Sequence, residues 1–289
     1  MLLVDKPAGL TSHDVVAAAR RALRVRRVGY TGTLDPFATG LLVLLVGRGT
    51  RLLPYVEGEP KVYDAVLSFG AETDTDDPTG TVVRQADVPR LGAVRTALTT
   101  LTGALDQIPP AYSAKKVEGT RAYAAARRGG SLVLPSARVV VHSWEVRGEL
   151  GDGLENAHRL DVRIVCSGGT YIRALARDLG RLSGSAAHLT ALRRVRSGPF
   201  DVADAITIDE LDLDVRLRPL RHAVPSMSAV TLDAPALARV LHGNPVRAAS
   251  ETAAVDGARV ALVDESGVLV GVAERHREQL RPRIVLRDA

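Results

Sequence analysis

The residue best placed to do chemistry is Asp35, the single carboxylate in the segment Gly29-Tyr-Thr-Gly-Thr-Leu-Asp-Pro-Phe-Ala-Thr-Gly-Leu-Leu42. Its glycines keep the segment from becoming a helix, and Pro36 fixes its own φ and steers Asp35 out of the helical region. Thr31, Thr33 and Thr39 can hydrogen-bond the loop's own backbone, and the apolar run that starts at Leu41 anchors it in a core. A carboxylate held on such a shaped loop and shielded from water can serve as a nucleophile without any redox group. An Asp-Pro pair also opens ordinary Asx turns, so the surrounding residues must decide between the two.

Two further segments carry aromatic and cationic side chains. Lys61-Val-Tyr-Asp64 opens a strand, and Cys166-Ser-Gly-Gly-Thr-Tyr-Ile-Arg173 marks a strand-to-helix turn. Taken singly, Tyr63 is a half-buried strand tyrosine, the Gly pair is structural punctuation, and Leu192 in Ala191-Leu-Arg-Arg194 is core beside cations. Asp74-Thr-Asp76 after a strand is the start of an aspartyl-phosphate motif, but Pro78 occupies the place where that motif needs Thr or Val. The same proline spoils a calcium loop, and the chain lacks both the Gly-Lys-Ser/Thr ending of a P-loop and the Gly-x-Ser-x-Gly of a serine hydrolase.

In order along residues 2–200, these segments resemble the TruB family of pseudouridine synthases, whose catalytic motif is written GHTGTLDPxATGxL. The resemblance implies that Asp35 is the nucleophile, that Tyr63 stacks on a flipped base and takes part in proton transfer, and that Tyr171 lines the uracil pocket. It implies also that Arg173 pairs with Asp35, which favours the ionised carboxylate, that Leu192 closes the pocket, and that Arg193 suits phosphate. Asp77 would support the arginine network, and Lys6, in Lys6-Pro-Ala-Gly9, would brace the active loop. The stretch from Ile108 through Gly130 matches a mobile insertion that folds onto RNA, with Lys115 and Lys116 among its basic residues. The one departure is Tyr30, where the family usually has histidine; a tyrosine there can stack on RNA.

The activity so implied is isomerisation of uridine 55 in the T arm of tRNA, after the base has been turned out of its stack. It calls for no cofactor and no metal. A different class, a non-catalytic chaperone that grips and folds tRNA, would use the same basic runs but has no need of Asp35 beside phosphates. Guide-dependent relatives of the H/ACA class usually carry longer basic tails, so the expectation is stand-alone action on tRNA by a monomer with no obligate protein partner.

Composition agrees with an RNA ligand. The 289 residues are 46% hydrophobic and 25% charged, with a net charge of +5. The basic residues cluster: Arg20, Arg21, Arg24, Arg26 and Arg27 lead into the Asp35 loop, Lys115 to Arg128 form a second group, and Arg193, Arg194 and Arg196 a third. Such runs are usually solvated faces, but three of them favour a polyanion. One cysteine, Cys166, excludes an internal disulfide and a multi-cysteine zinc site, and the seven histidines are scattered. No apolar run reaches the length of a membrane span, so a cytoplasmic protein is expected.

Helical spacing through Val15, Val16, Ala19 and Leu23 follows capping residues at 11–14, and a further helix face runs from Ile172 to Leu182. Strands are predicted over 62–69, 138–144 and 159–166, and a polar loop over 71–80. Helices and strands in no regular alternation predict an α+β fold with a mixed, largely antiparallel sheet flanked by helices. From residue 225 to 289 the texture becomes Pro-punctuated and β-rich, with a hairpin turn at Asp264-Glu-Ser-Gly267, and resembles the PUA-like RNA-binding module of the same family. The catalytic domain is expected to span residues 1–224.

Overall fold

The computed structural model describes residues 1–112, 116–117, 120–121, 134–151, 156–212, 215–248 and 255–286. The first half runs β1 (Leu2–Lys6), α1 (Ser12–Ala22), β2 (Val28–Thr31), β3 (Thr39–Val46), β4 (Lys61–Phe69), β5 (Ala71–Thr73), β6 (Val82–Gln85), α2 (Leu91–Thr100) and β7 (Gly103–Gln107). After the short strands β8 (Lys116–Val117) and β9 (Thr120–Arg121) come β10 (Ala137–Gly151), β11 (Ala157–Cys166), α3 (Ile172–Leu182), β12 (Ala187–Ser197) and β13 (Phe200–Asp201). Nine of these strands form one sheet with the order β1-β3-β12-β4-β11-β10-β7, β2 joining β3 and β13 joining β12. Every pairing in it is antiparallel except β3 with β12, so the sheet is mixed and largely antiparallel as expected.

The side-chain pattern explains each layer. In β4 the alternate residues Tyr63, Ala65, Leu67 and Phe69 are buried, and in β11 so are Leu160, Val162, Ile164 and Cys166. This face is covered by Leu175, Ala176 and Leu179 of α3 and by Val94, Ala97 and Leu98 of α2. β3 is apolar from Leu41 to Val46 because it is covered on both faces. Leu42 and Leu44 pack with Val15, Val16 and Ala19 of α1, while Leu41, Val43 and Leu45 pack on the other side. The helix α1 starts at a full capping box: Thr11 Oγ1 accepts from the Asp14 amide at 3.1 Å, and the Thr11 amide donates to Asp14 Oδ2 at 2.8 Å.

The parallel contact of β3 with β12 places the end of the Asp35 loop against the sheet, with Gly40 opposite Arg194. Gly40 has φ of +104°, and a Cβ there would collide with the Arg194 carbonyl, so glycine is required at this crossing.

A second sheet has the order β14-β16-β17-β18-β15, with β14 (Ala229–Thr231), β15 (Val246–Arg247), β16 (Arg259–Val263), β17 (Leu269–His276) and β18 (Gln279–Val285). The predicted turn at Asp264 joins β16 and β17, its Oδ1 accepting the Ser266 and Val268 amides at 3.0 and 2.9 Å. Helix α4 (Ala234–Leu241) starts where it does because Asp233 caps the Ala236 amide at 2.8 Å and Pro235 sits in the first turn. The two sheets share one apolar cluster, whose members include Leu41 and Leu45 of β3 and Ala261, Leu269 and Val272 of β16 and β17.

Two expectations need correction. The polar segment 71–80 is not all loop: its first residues form β5 and pair with β6. The strand expected over 138–144 continues to Gly151, because β11 pairs with it from Val141 to Gly151.

Candidate active site

Asp35 and Arg173 are 138 residues apart in sequence and meet as a bidentate pair, Arg173 Nε to Oδ2 and Nη2 to Oδ1, both at 2.9 Å. Arg173 lies in the first turn of α3, and its remaining donors are used: Nη1 donates to the Thr75 carbonyl at 2.8 Å, Nη2 to the Tyr112 carbonyl at 3.0 Å, and Nη1 stands 3.5 Å from Asp77 Oδ2. A planar, fixed fork of this kind sets both the position and the orientation of the carboxylate.

Asp77 is itself held, its Oδ1 accepting from Thr75 Oγ1 at 2.7 Å and from Thr79 Oγ1 at 2.6 Å. Next to it Asp76 pairs with Arg177, one helical turn after Arg173, at 3.3 Å. Burial raises the Asp76 carboxyl to about 6, with Arg177 acting against it.

Asp35 opens into a cavity of about 250 Å³, room for a single base, whose lining includes Lys61, Tyr63, Tyr171, Arg173 and Leu192. Burial raises the Asp35 carboxyl above its usual range, and Arg173 opposes this by charge and hydrogen bonds. Tyr63 stands on the inward face of β4; burial raises its phenol, with the Arg194 charge opposing, so it is protonated at neutral pH. Tyr171 precedes α3 and is fixed through its backbone by Gln107: Nε2 donates to the Tyr171 carbonyl at 3.0 Å, and Oε1 accepts its amide at 2.8 Å.

The loop is braced from below. Lys6 is fully buried and donates to the carbonyls of Pro7 and Leu10 at 2.8 and 2.7 Å, and to that of Pro36 at 3.3 Å. Burial lowers its ammonium to about 8, with the Asp35 charge drawing it back up. Ser12 accepts the Leu34 amide at 3.0 Å.

Of the residues singled out from sequence, Asp35, Tyr63, Tyr171, Arg173 and Leu192 therefore line one cavity, with Asp77 and Lys6 behind it. Arg193 does not join them: it is ion-paired with Asp5 at 2.6 Å, since strand alternation turns it away from the side shared by Leu192 and Arg194. Tyr30 is outside the cavity lining, its ring edge-on to His13 at 5.5 Å. Lys115, Arg127 and Arg128 lie outside the described residues, and of Lys116 only the backbone, in β8, is described.

Lys61 and Gln107 were not assigned from sequence. Lys61 shares the face of Tyr63 two residues away, whereas nothing local marks Gln107. Cys166 is fully buried, and burial pushes its thiol up to about 11, far from a reactive thiolate. Among the described residues no three His, Cys, Asp or Glu side chains cluster as metal ligands, and no helix is long and apolar enough to cross a membrane.

Comparison with known proteins identifies the family. Residues 20–172 match the family described as TruB family pseudouridylate synthase (N terminal domain), residues 173–228 the tRNA pseudouridylate synthase B C-terminal domain, and residues 228–286 Pseudouridine synthase II TruB, C-terminal. The tRNA pseudouridine synthase B of Thermobifida fusca (strain YX) is 43% identical over 99% of this chain and 97% of its own, and that of Leifsonia xyli subsp. xyli 42% identical over 97% and 94%. Among solved structures, the fold is similar to that in a Cbf5-Nop10-Gar1 complex, with a TM-score of 0.73 and 24% identity over 99% of this chain and 84% of the other. An H/ACA RNP bound to a substrate RNA containing 2'-deoxyuridine gives a TM-score of 0.71 at 22% identity, over 99% and 84%. Matched by family patterns from residue 20 to 286 and by full-length relatives at over two-fifths identity, the chain belongs to the TruB family of pseudouridylate synthases.

Proposed function

We propose that this chain is a tRNA pseudouridine synthase that isomerises uridine 55 of the T arm, with Asp35 as nucleophile. The observation that carries this is the Asp35–Arg173 pair at the edge of a base-sized cavity lined by Tyr63, Tyr171 and Leu192. A carboxylate next to a nucleic acid only repels unless it reacts.

Asp35 bonds to C1′ of the ribose as the N1–C1′ bond breaks, leaving its electron pair on the uracil. The uracil turns in the cavity, C5 bonds to C1′, and the Asp35 ester bond opens. The C5 proton departs and one proton ends on N1, so the reaction is an isomerisation with no net gain or loss. Tyr63 stacks on the flipped base and relays the proton, accepting one as it passes its own on, which needs no ionised phenol. Tyr171 and Leu192 exclude water from the other sides.

Residues from about 225 onward serve as a separate RNA-gripping module, and the basic segment with Lys115 and Lys116 holds the T arm. The enzyme acts in the cytoplasm as a monomer. The test is to incubate the purified chain with an unmodified tRNA transcript, without added metal or cofactor, and map the product by carbodiimide-blocked primer extension. A stop at position 55 is expected. A stop at a different uridine would remove the substrate assignment, and tRNA binding with no stop anywhere would leave only a tRNA-folding role.

A further inference from the structure

We propose that Lys61, with the charge of Arg194 fixed behind it, is a second cationic group of the Asp35 cavity, which donates to a carbonyl oxygen of the pyrimidine and stabilises the charge that gathers on the base as it leaves the sugar. This rests on the uridine isomerisation proposed above and adds residues to it.

The two side chains converge on one backbone position of the Asp35 loop. A Cβ built on Gly32 would lie 2.9 Å from Lys61 Nζ and 3.1 Å from Arg194 Nη1. Arg194 is 1% exposed and is anchored by two of its nitrogens, Nε donating to the Leu41 carbonyl and Nη2 to the Gly32 carbonyl, both at 2.8 Å. Its third nitrogen, Nη1, is buried outside the cavity lining and meets the Tyr63 phenol there without a well-aligned hydrogen bond, so Arg194 sets a fixed positive charge behind the cavity wall. Lys61 Nζ reaches the same place, and Lys61 lines the cavity together with Asp35. Among the described residues no carboxylate forms an ion pair with either side chain. The charged and titratable groups around Lys61 are Arg194, Cys166 and Glu59, with Asp35, Tyr63, Tyr171 and Arg173 on the other walls of the cavity.

An ammonium on the cavity wall with a second fixed cation beside it favours an acceptor that is neutral or anionic. The cavity is too small for much beyond a base, and uracil offers O2 and O4. When the N1–C1′ bond breaks, its electron pair stays on the ring and spreads over N1, O2 and O4. Lys61 donates a hydrogen bond to one of these oxygens and keeps its proton, and the pair later forms the bond from C5 to C1′. Because the charge exists only after the bond begins to break, the interaction is stronger in the transition state than with bound uridine, so its loss lowers the rate rather than the affinity.

The test uses the full chain and unmodified tRNA transcript, measuring single-turnover rate at saturating enzyme, tRNA affinity, and rate against pH for wild type, Lys61→Met and Lys61→Arg. Lys61→Met is expected to lose about 100-fold in rate, with affinity changed by less than about threefold. Wild type is expected to lose rate as Lys61 deprotonates below the usual lysine range, since burial and then Arg194 lower it. That alkaline limb should vanish in Lys61→Met and move upward in Lys61→Arg. Should Lys61→Met fail to fold by circular dichroism, the shift in Lys61→Arg carries the test. An unchanged rate, a loss confined to affinity, or an alkaline limb that none of the variants moves overturns the assignment while product formation by wild type leaves the isomerase reading standing. No product from wild type overturns both.

Discussion

Helix α3 carries a carboxylate–arginine pair at each end, and the two are built in opposite senses. At its N-terminal end Arg173 is 5% exposed while Asp35 is 33% exposed toward the cavity. At its C-terminal end Glu72 is 3% exposed and Arg181 is 55% exposed to solvent. Glu72 is satisfied by two cations, with Arg181 Nη2 at 2.7 Å from Oε2 and Arg84 Nη1 at 2.7 Å from Oε1. Asp35 has a single arginine, and that arginine also serves two backbone carbonyls and faces Asp77.

The electrostatic outcome differs accordingly. Burial pushes Glu72 up, but hydrogen bonds from Arg181 and Arg84 outweigh it and hold the carboxyl below its usual range. At Asp35 burial wins over Arg173 and the carboxyl rises. Burying the acid under exposed cations makes an anchor; burying the cation under a partly open acid makes a group with one face free to react.

The comparison can be broken at either end. Among changes that leave Asp35 in place, the largest effect is expected from Arg173→Ala, which removes the fork that aims the carboxylate. Turnover should fall by roughly 100-fold or more and stability by about 3 kcal/mol, read by single-turnover kinetics and urea unfolding. The pH profile gives the sign of the electrostatics. Asp35 must be ionised to attack, so wild-type rate is lost as pH falls through its raised value, and Arg173→Ala should move that acid limb still higher, because the opposing charge is gone.

Glu72→Gln is the counterpart at the scaffold end, with the smaller effect on chemistry. Stability should drop by about 1.5–3 kcal/mol near neutral pH with turnover per folded molecule unchanged. A carboxyl held below its unfolded value stabilises above that value and loses this contribution as pH falls through the folded one. The difference in melting between wild type and Glu72→Gln should therefore shrink in acid. A fall in turnover as large as that of Arg173→Ala would show that the two ends do not differ in role.

What the sequence made legible follows the same division. The Asp35 loop, the Tyr63 strand and the turn before Arg173 are contiguous motifs, and the apolar faces of α1, α3 and β11 follow from period alone. The partners of Arg177 and Arg181 were not legible: cations at four-residue spacing along a helix read as a solvated face, and their acids, Asp76 and Glu72, lie 101 and 109 residues away. Between Arg193 and Arg194 the choice depended on which side of β12 faces the cavity. Leu192 lines it, so alternation selects Arg194, a step that needs the strand's register as well as the motif. Gln107 holds Tyr171 by its backbone, an interaction that any side chain's own neighbours leave unmarked.

The central claim is that Asp35 is the reacting group and not one more member of the ion-pair network. The direct measurement is the single-turnover rate of Asp35→Asn at saturating enzyme on unmodified tRNA transcript, with tRNA affinity measured alongside. Asparagine keeps the shape and one acceptor for Arg173 but cannot act as a carboxylate nucleophile. The account predicts tRNA bound within a few-fold of wild type and product formation reduced by roughly 10⁴ or more; pseudouridine formed by Asp35→Asn at the wild-type rate would contradict it.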